Sequence, residues 1–419
     1  MRKASLMLAV ILIALTVASG VIVAACGSGS STSSSSAAAS AAATTGPIKV
    51  GHIVNLTGPE AMVGAIQSKC LNEAFKQMGP IDGRTVEVIT EDAQGEAASA
   101  IDAARKLVES DHVVAIIGPT EIGQKMAVAN YLKTAGIPEI IYNPSPPILF
   151  QGNKWVVGSG GSTPQNPSCM GDYIYKKASY RTINTLTEDN SGGRAFMDPL
   201  TQIFTQLGGK VLKQQWVPEN VGDFSPYLTT LPAADALIAW EPGGAGVKLW
   251  TQWYQLGIYK TTPMDAAFHG GFTDAFIPMA LPKDVATAMV GAMAPQVYSP
   301  ENPSPENKAF VDAITPVLGY PPSDDGASGP WQAALLLQAG VQAANGDTSP
   351  DKLLAGMLGA SFVGPEGPES FAAGQQIATK TVYILKVTFV PAAGFAPDHY
   401  TYTTIGTYKD VPPAGYTPK

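Results

Sequence analysis

The residue whose position most clearly predicts a covalent modification is Cys26, which closes the run VAAC. The run follows a basic start at Arg2 and Lys3 and an apolar stretch over residues 6–18. This pattern is typical of a secretory signal that ends in a lipobox, where the cysteine becomes the lipidated first residue of the exported chain. The sequence therefore predicts an extracytoplasmic protein that a lipid on Cys26 holds to the cell membrane.

Two alternatives to the lipobox stay open: a signal peptide cut elsewhere, and a single membrane-spanning anchor. Thr16, Ser19 and Gly20 interrupt the apolar stretch, whereas a spanning helix needs about 20 apolar residues. An export signal over residues 1–25 therefore fits better. Residues 27–46 consist of Gly, Ser, Thr and Ala. We expect residues 26–46 to form the lipidated cysteine and a flexible tether with a reach of about 25 Å.

The other cysteines and the histidines show no spacing that predicts a metal or a catalytic site. Cys70 and Cys169 can form a disulfide in an oxidising compartment or stay two buried thiols. The histidines are His52, His112, His269 and His399, without short ligand spacing. The chain has neither a Cys-x-x-Cys pair nor a Gly-x-Ser-x-Gly nucleophile turn. We therefore expect no metal, no cofactor and no enzymatic activity.

Charge and length restrict the partners and the number of domains. The formal net charge of -8 becomes -10 once Arg2 and Lys3 leave with the signal peptide. A mildly acidic chain without a run of Lys or Arg argues against nucleic acid and against electrostatic adhesion to anionic lipid. The chain after residue 46 is too long for one core of ordinary size, so two domains are expected.

Apolar strands alternate with helical patterns along the chain, which predicts βαβ units. Strands are predicted over residues 48–54, 85–90, 113–117 and 139–142, and helices over 62–78, 97–109 and 122–134. The pattern restarts with strands over 182–187, 210–215 and 236–240 and helices over 194–207 and 247–256. Residues 158–168, rich in Gly, Ser and Pro, predict a crossover between two doubly wound α/β units. Ligands of such sheets bind in the cleft at the carboxyl ends of the strands.

The first unit resembles the amino-terminal lobe of the branched-chain amino-acid type solute-binding proteins of ABC importers. The resemblance covers residues 48–64 (IKVGHIVNLTGPEAMVG), 81–119 and 135–145 (AGIPEIIYNPS). Residues 188–196 (EDNSGGRAF) and 235–258 are similar to parts of the second lobe. The resemblance implies the type I periplasmic-binding-protein fold: two lobes, each a doubly wound, mostly parallel sheet, with a ligand cleft between them.

The resemblance also implies how the chain is divided between the lobes. Lobe one would comprise residues 47–158 and 297–375, and lobe two residues 159–296 and 376–419. Helical runs over residues 307–318 and 330–345 would cover the first sheet. The protein would act as a monomer, with a small-molecule solute and an ABC permease in the membrane as its partners.

The resemblance places the ligand at loops that follow the strands. The residues carried over are Thr57, Met62, Val63, Thr120, Glu121, Gly123, Asn143, Ser145, Asn190, Trp240, Glu241, His269 and Phe272. Backbone N–H groups of residues 118–123 precede a helix whose positive end can hold an anion or a carbonyl oxygen. Ser145 offers a donor and an acceptor beside them.

Several positions depart from what amino-acid-binding members carry. Where hydroxyl residues are usual after the Gly-Pro turn, this chain has Thr120, Glu121, Ile122 and Gly123, and Gly192 stands where an aromatic residue is common. The acidic residue expected in the next loop falls on Gly270 or Gly271. These departures argue against an ordinary α-amino acid.

Trp240 and Glu241 would instead suit a cationic or amide-bearing ligand with an apolar part. Each of these residues also has a purely structural interpretation. Trp240 can be core or rim packing, and Glu60, Glu121 and Glu241 can be solvated surface groups. His269 can be a hydrogen-bonded loop residue, and Thr57 can cap the following helix.

Three functions are compatible with this pattern. The leading one is a solute-binding lipoprotein of an ABC importer that takes a small polar solute, such as an amino acid or an amide. The second is a sensory lipoprotein that reports ligand occupancy to a membrane receptor. The third is a secreted α/β hydrolase, against which the missing nucleophile turn argues.

Overall fold

The computed structural model describes residues 46–58, 60–219, 221–241, 243–268, 280–391 and 399–418. The predicted signal peptide and the lipidation site Cys26 lie outside the described residues, as do His269 and Phe272. Among the described helices, none combines the length and the apolar character that crossing a bilayer requires.

Strands and helices alternate along most of the chain. The strands are β1 Ile48–Val54, β2 Val86–Asp92, β3 Ala115–Ile117, β4 Glu139–Ile141, β5 Val156–Gly158, β6 Thr182–Glu188, β7 Lys210–Val217, β8 Ala236–Trp240, β9 Met264–Ala266, β10 Met293–Gln296, β11 Ser361–Gly364, β12 Gly367–Ser370, β13 Lys380–Val390 and β14 His399–Val411. The helices are α1 Ala61–Met78, α2 Ala97–Arg105, α3 Ile122–Ala135, α4 Gln165–Lys176, α5 Ser191–Gln206, α6 Ser225–Leu228, α7 Gly243–Gln255, α8 Lys283–Ala288, α9 Pro305–Leu318, α10 Asp325–Ala343 and α11 Pro350–Leu358.

A parallel sheet with strand order β2-β1-β3-β4-β5 forms the centre of lobe one. Val50 in β1 opposes Val88 on one side and Ala115 on the other. β1 is buried along nearly its whole length, as expected of a parallel strand with both faces covered. The winding direction reverses between β1 and β3. The carboxyl ends of these two strands therefore border the crevice where open α/β sheets bind ligands.

Two hydrophobic clusters cover the faces of this sheet. On one face Leu71 of α1 packs with Phe310 of α9, Trp331 of α10 and Leu353 of α11. The other face is covered by α2 and α3, which bury small and branched side chains such as Ala104 against β1 and β3. Each helix thus contributes the apolar stripe that its sequence period predicts.

Lobe two is centred on a parallel sheet with strand order β7-β6-β8-β9. Trp250 and Trp253 of α7 pack on one face, and Met170 of α4 and Leu200 of α5 pack on the other. The winding direction reverses between β6 and β8, so their carboxyl ends border the crevice of this lobe.

An antiparallel sheet with the order β10-β13-β14 completes the cores around the second sheet. Leu385 of β13 joins the cluster of α7, and Ile384 joins the cluster of α4 and α5. The segment before β13 also runs beside β5. Gly158 donates to the Gln376 carbonyl at 2.7 Å, and Ala378 donates to the Gly158 carbonyl at 2.9 Å.

The predicted fold, two lobes with doubly wound and mostly parallel sheets, is confirmed by these observations. The elements that were not predicted include α4 and the hairpin β13–β14. The Gly- and Pro-rich stretch 158–168 already contains the first residues of α4, whose buried side chains include Cys169 and Ile174. The end of the chain forms the long hairpin β13–β14. The residue boundaries given above for the two lobes stay a prediction.

The possible disulfide between Cys70 and Cys169 is absent, and both residues are buried free cysteines. Cys70 lies in the core between α1 and the first sheet, whereas Cys169 lies in the core between α4 and the second sheet. A disulfide needs Cα atoms within about 7 Å. Each thiol packs in the core of its own lobe, so the alternative of two buried thiols is the correct one.

Candidate functional site

The loops at the carboxyl ends of the two sheets meet at the first turns of the helices that follow them. A methyl group added to Gly192, in the first turn of α5, would lie 3.6 Å from Cδ1 of Ile122, which begins α3. It would lie equally close to Cη2 of Trp240. A methyl group on Gly243, which begins α7, would lie 3.0 Å from Oε1 of Glu60. The two lobes therefore approach each other closely around these residues.

Asn55 organises the wall that lobe one contributes. It directly follows β1, and its Nδ2 donates to Oε1 of Glu121 at 3.2 Å. Its Oδ1 accepts from Nε2 of Gln124 and from the Gly95 backbone N–H, both at 2.9 Å. This side chain fixes Glu121 relative to β1. Asn55 and Gln124 were not among the predicted site residues, although a polar residue at the end of a buried strand is a usable signal.

The end of β1 also depends on a close backbone approach by α1. A methyl group on Gly64 would lie 1.9 Å from the Asn55 carbonyl oxygen, far inside van der Waals contact. Only glycine fits at this position. Gly118, after β3, is restricted in the same way, because its φ is 85° and an added methyl group would lie 2.4 Å from the Ile53 carbonyl oxygen.

Thr120 belongs to a hydrogen-bonded group inside lobe one. Its hydroxyl donates to Oε1 of Gln67 at 2.9 Å, and the same Oε1 accepts from the Tyr142 hydroxyl at 3.1 Å. Asn143 donates from Nδ2 to the Thr120 carbonyl at 3.3 Å. The Oδ1 of Asn143 is buried and has no hydrogen-bond partner among the described residues. Thr120 and Asn143 therefore lie together, and Asn143 retains an unused acceptor.

Ser145 is fully buried behind this wall. The ammonium of Lys125 donates to its hydroxyl at 3.0 Å, and the hydroxyl donates to the Asn143 carbonyl at 3.1 Å. Burial lowers the pKa of Lys125 to about 7, against the attraction of Glu139, and burial raises the pKa of Glu139 well above its ordinary value. Ser145 thus has both of its hydrogen-bonding functions engaged within lobe one.

Four predicted residues of lobe one are exposed or partly exposed. The Thr57 hydroxyl donates to Oδ2 of Asp92 at 2.6 Å and does not cap α1, whose N-cap position is Glu60 without a side-chain cap. The interpretation of Thr57 as a cap was therefore wrong, because Asp92 holds the hydroxyl. Met62 and Gly123 are exposed, and Val63 is partly exposed. These four residues take no part in the hydrogen bonds described around Thr120 and Glu121.

In lobe two Asn190 is the N-cap of α5. Its Oδ1 accepts from the Gly193 backbone N–H, and its Nδ2 donates to Oε2 of Glu188 and Oε1 of Glu219, each at 2.8 Å. A side-chain cap of this kind contributes about 1 kcal/mol to the helix. Asn190 therefore positions Glu188, a buried carboxylate that the predicted set did not include.

Trp240 ends β8 at the crevice, and Glu241 directly follows it. Trp240 is partly buried against Phe196, with ring centroids 4.9 Å apart, and Phe196 in turn stacks on Phe268 at 4.4 Å. Glu241 is 1% exposed, and its Oε1 has no hydrogen-bond partner among the described residues. The interpretation of Glu241 as a solvated surface group was therefore wrong.

Carboxylates dominate the electrostatics of the crevice. Burial, followed by the charge of Glu188, raises the pKa of Glu241 to about 9 and raises that of Glu60. Burial, and then the charge of Glu60, raises the pKa of Glu121 to about 7, with Lys125 opposing the shift. Burial also raises the pKa of Glu188. The same four carboxylates thus repel one another across the two lobes.

A metal ion does not account for this concentration of carboxylates. Within the part of the chain that the structure describes, no three His, Cys, Asp or Glu side chains are close enough to share one ion. The fold and the crevice together define a two-lobed solute-binding protein.

Comparison with known proteins gives the family. A model of the periplasmic binding protein family matches residues 47–394, and the chain therefore belongs to that family. The Leu/Ile/Val-binding protein homolog 6 of Brucella melitensis is 23% identical over 345 residues, which cover 81% of this chain and 87% of the relative. The resemblance to the branched-chain amino-acid type is thereby confirmed.

Solved structures share the same fold. A solute binding protein of an ABC transporter from Rhodopseudomonas palustris, in complex with 3,4-dihydroxy benzoic acid, matches with a TM-score of 0.79 at 24% identity, over 87% of this chain and 98% of that chain. The leucine binding protein LivK from Thermotoga maritima matches with a TM-score of 0.75 at 21% identity, over 86% and 99% of the two chains. At these identities the two structures support the fold rather than a particular solute.

Proposed function

We propose that this protein captures a small polar solute between its two lobes, outside the cytoplasmic membrane, and delivers it to the membrane permease of an ABC importer. The observation that carries the proposal is the close approach of α3 and α5 at Ile122 and Gly192. A solute between the strand ends would contact both lobes at once. Membership in the periplasmic binding protein family supports the same role.

Capture by closure needs only noncovalent contacts. A solute that touches Glu121 in lobe one and Glu241 in lobe two stabilises the closed arrangement by the contacts that exist only there. No covalent bond of the solute changes in this process. We therefore propose a binding protein rather than an enzyme, acting as a monomer without a cofactor.

The lipid proposed for Cys26 would keep the two lobes near the permease. The tether predicted over residues 27–46 would have a reach of about 25 Å as a flexible coil. Recovery of an ABC permease and its ATPase subunit after crosslinking on the native membrane would support delivery. Recovery of a receptor instead would favour the sensory function.

The proposed closure is tested by filling the contact between the lobes. Gly192→Phe places a ring where Ile122 and Trp240 meet, whereas Gly222→Phe adds the same ring at an exposed position with no atom within 4 Å of the added Cβ. Native mass spectrometry identifies a co-purified solute, and X-ray scattering measures the radius of gyration with and without it. We expect the solute to compact the wild type and the Gly222 variant but not the Gly192 variant. Equal compaction of all three would contradict the site.

A further inference from the structure

The crevice brings together four glutamates from both lobes. Glu60 and Glu121 belong to lobe one, and Glu188 and Glu241 belong to lobe two. Oε1 of Glu60 lies 3.0 Å from the position that a methyl group on Gly243 would occupy, and Asn55 holds Glu121 at 3.2 Å. Asn190 holds Glu188 at 2.8 Å. Neighbouring side chains thus fix carboxylates on both sides of the crevice.

One carboxylate oxygen of these glutamates is buried without a hydrogen-bond partner among the described residues. The Oε1 of Glu241 is buried and accepts no hydrogen bond from a described residue. An unsatisfied buried polar group costs on the order of 1–3 kcal/mol, and more when it is charged. Native structures leave few buried polar groups unsatisfied, and a bound molecule at a crevice is one way in which such a group gains its partner. Glu241 therefore indicates a ligand that supplies a hydrogen-bond donor.

Two basic side chains near the crevice, Lys125 and Arg194, already have partners within their own lobes. Lys125 donates to Ser145, and Arg194 pairs with Asp189 at 2.5 Å and lies 4.2 Å from the centroid of the Trp216 ring. Residues 269–279, outside the described part, contain a histidine and an aspartate but no lysine or arginine in their sequence. A carboxylate on the solute would thus enter a group of acidic side chains without an available basic partner among these residues.

The spacing of the carboxylates favours an organic cation over a metal ion. No three of the described acidic, histidine or cysteine side chains are close enough to hold one metal ion. Trp240 presents an aromatic ring beside Glu241, and Ile122 lies near the same ring across the crevice. A tryptophan face attracts a cation and also packs against apolar groups.

We propose that the solute is an organic cation, an amine, amidinium or guanidinium with an apolar part. Its charge lies among Glu60, Glu121, Glu188 and Glu241, and its apolar part lies against Trp240. This inference rests on the proposed capture between the lobes and specifies the charge of what is captured. It differs from the aromatic acid bound by the Rhodopseudomonas palustris protein.

The test compares ligands of one shape and opposite charge. Phenethylamine and 3-phenylpropionate share a phenyl ring on a short chain, agmatine adds a guanidinium, and isoleucine represents the zwitterions. Binding to the protein is measured by isothermal titration calorimetry and thermal shift at low salt. We expect phenethylamine or agmatine to bind at least tenfold more tightly than 3-phenylpropionate and isoleucine.

Variants separate the site from general charge effects. Glu241→Gln and Glu188→Gln each remove one crevice carboxylate, and Glu306→Gln removes an exposed one in the first turn of α9. We expect the crevice variants to lose at least tenfold in affinity for the cation and the Glu306 variant to keep it. Equal cation affinity in all three variants would overturn the inference.

The outcomes also distinguish the proposal of a cationic solute from the proposal that a solute is captured between the lobes. Binding of isoleucine or 3-phenylpropionate, without binding of either cation, would overturn the cationic solute and leave capture between the lobes intact. Binding of none of these ligands, together with no co-purified small molecule, would overturn both.

Discussion

The ammonium of Lys380 lies 2.6 Å from Oε2 of Glu366, and both side chains are almost completely buried. The same ammonium lies 3.1 Å from Oε2 of Glu369 and donates to the Ser159 carbonyl at 3.0 Å. Ser159 closes the group by donating from its hydroxyl to Oε1 of Glu369 at 2.8 Å. The group joins the segment after β5 to the start of β13, where the chain passes between the sheets of the two lobes.

Lys380→Met should therefore destabilise the protein strongly. The substitution leaves two buried carboxylates without their cation, and breaking a buried pair in this way costs about 3–5 kcal/mol. Lys308→Met, which breaks the exposed pair with Asp312, should change the free energy of unfolding by less than about 1 kcal/mol. Urea unfolding of the two variants makes the comparison. Similar losses in both would contradict a special role for Lys380.

Glu241→Gln should become more stable, relative to the wild type, as the pH rises. Burial raises the pKa of Glu241 from 4.5 to about 9. The contribution of Glu241 to the free energy of unfolding is therefore fully present below pH 4.5 and is lost as the pH rises toward 9. Glutamine does not titrate. Glu60, Glu121, Glu188 and Lys125 titrate in both proteins, so the difference isolates Glu241 to first order.

The difference in the free energy of unfolding between the Glu241→Gln variant and the wild type should grow by about 1–2 kcal/mol or more between pH 5 and pH 9, since one pKa unit corresponds to about 1.4 kcal/mol. Urea unfolding in overlapping buffers measures it, and Glu306→Gln provides the control. A difference independent of pH would mean that Glu241 titrates as in the unfolded chain.

His52→Leu should protect the protein against acid. His52 is fully buried in β1, neither ring nitrogen has a partner among the described residues, and burial lowers its pKa from 6.5 to about 3. The neutral ring contributes stability above pH 6.5 that is lost as the pH falls toward 3. As the pH falls from 7 to 4, the melting temperature of the variant should therefore rise relative to that of the wild type. His112→Asn, which replaces an exposed histidine at a position with positive φ, provides the control.

Cys70 and Cys169 should titrate as two free thiols. Burial raises the pKa of both thiols, so neither forms a thiolate readily in the native protein. In a Cys26→Ala variant, 5,5′-dithiobis(2-nitrobenzoic acid) should react slowly without denaturant and release two equivalents in guanidinium without a reductant. The melting temperature should not depend on a reductant. Release of no thiol before reduction would reveal a disulfide.

The alternation of apolar strands with helical patterns in the sequence was sufficient to predict the two parallel sheets. β1 and α1 differ from the predicted ranges by no more than a residue at either end. In contrast, α4 was missed because its first turn contains Pro167 and follows a Gly- and Ser-rich stretch. Its buried Cys169, Met170 and Ile174 recur at helical spacing and would have been the signal.

The site was harder to predict because its contacts join residues far apart in the chain. Ser145 looked available for a ligand, but Lys125, twenty residues earlier, reaches it inside the lobe. Glu188 follows no obvious motif, and its place in the crevice depends on Asn190 and on the neighbouring strand β8. Side-chain type at a strand end predicts the edge where a ligand binds, whereas the partner of each side chain depends on packing.

The backbone pairing of Gly158 with Gln376 and Ala378 has a mechanical consequence. Two connecting segments joined by two hydrogen bonds form a short ribbon, which bends more easily across its flat face than in its own plane. In the proposed closure the two halves would rock toward each other along one arc, while sideways shear would have to break those bonds. Such a ribbon would bring the same residues face to face at each closure.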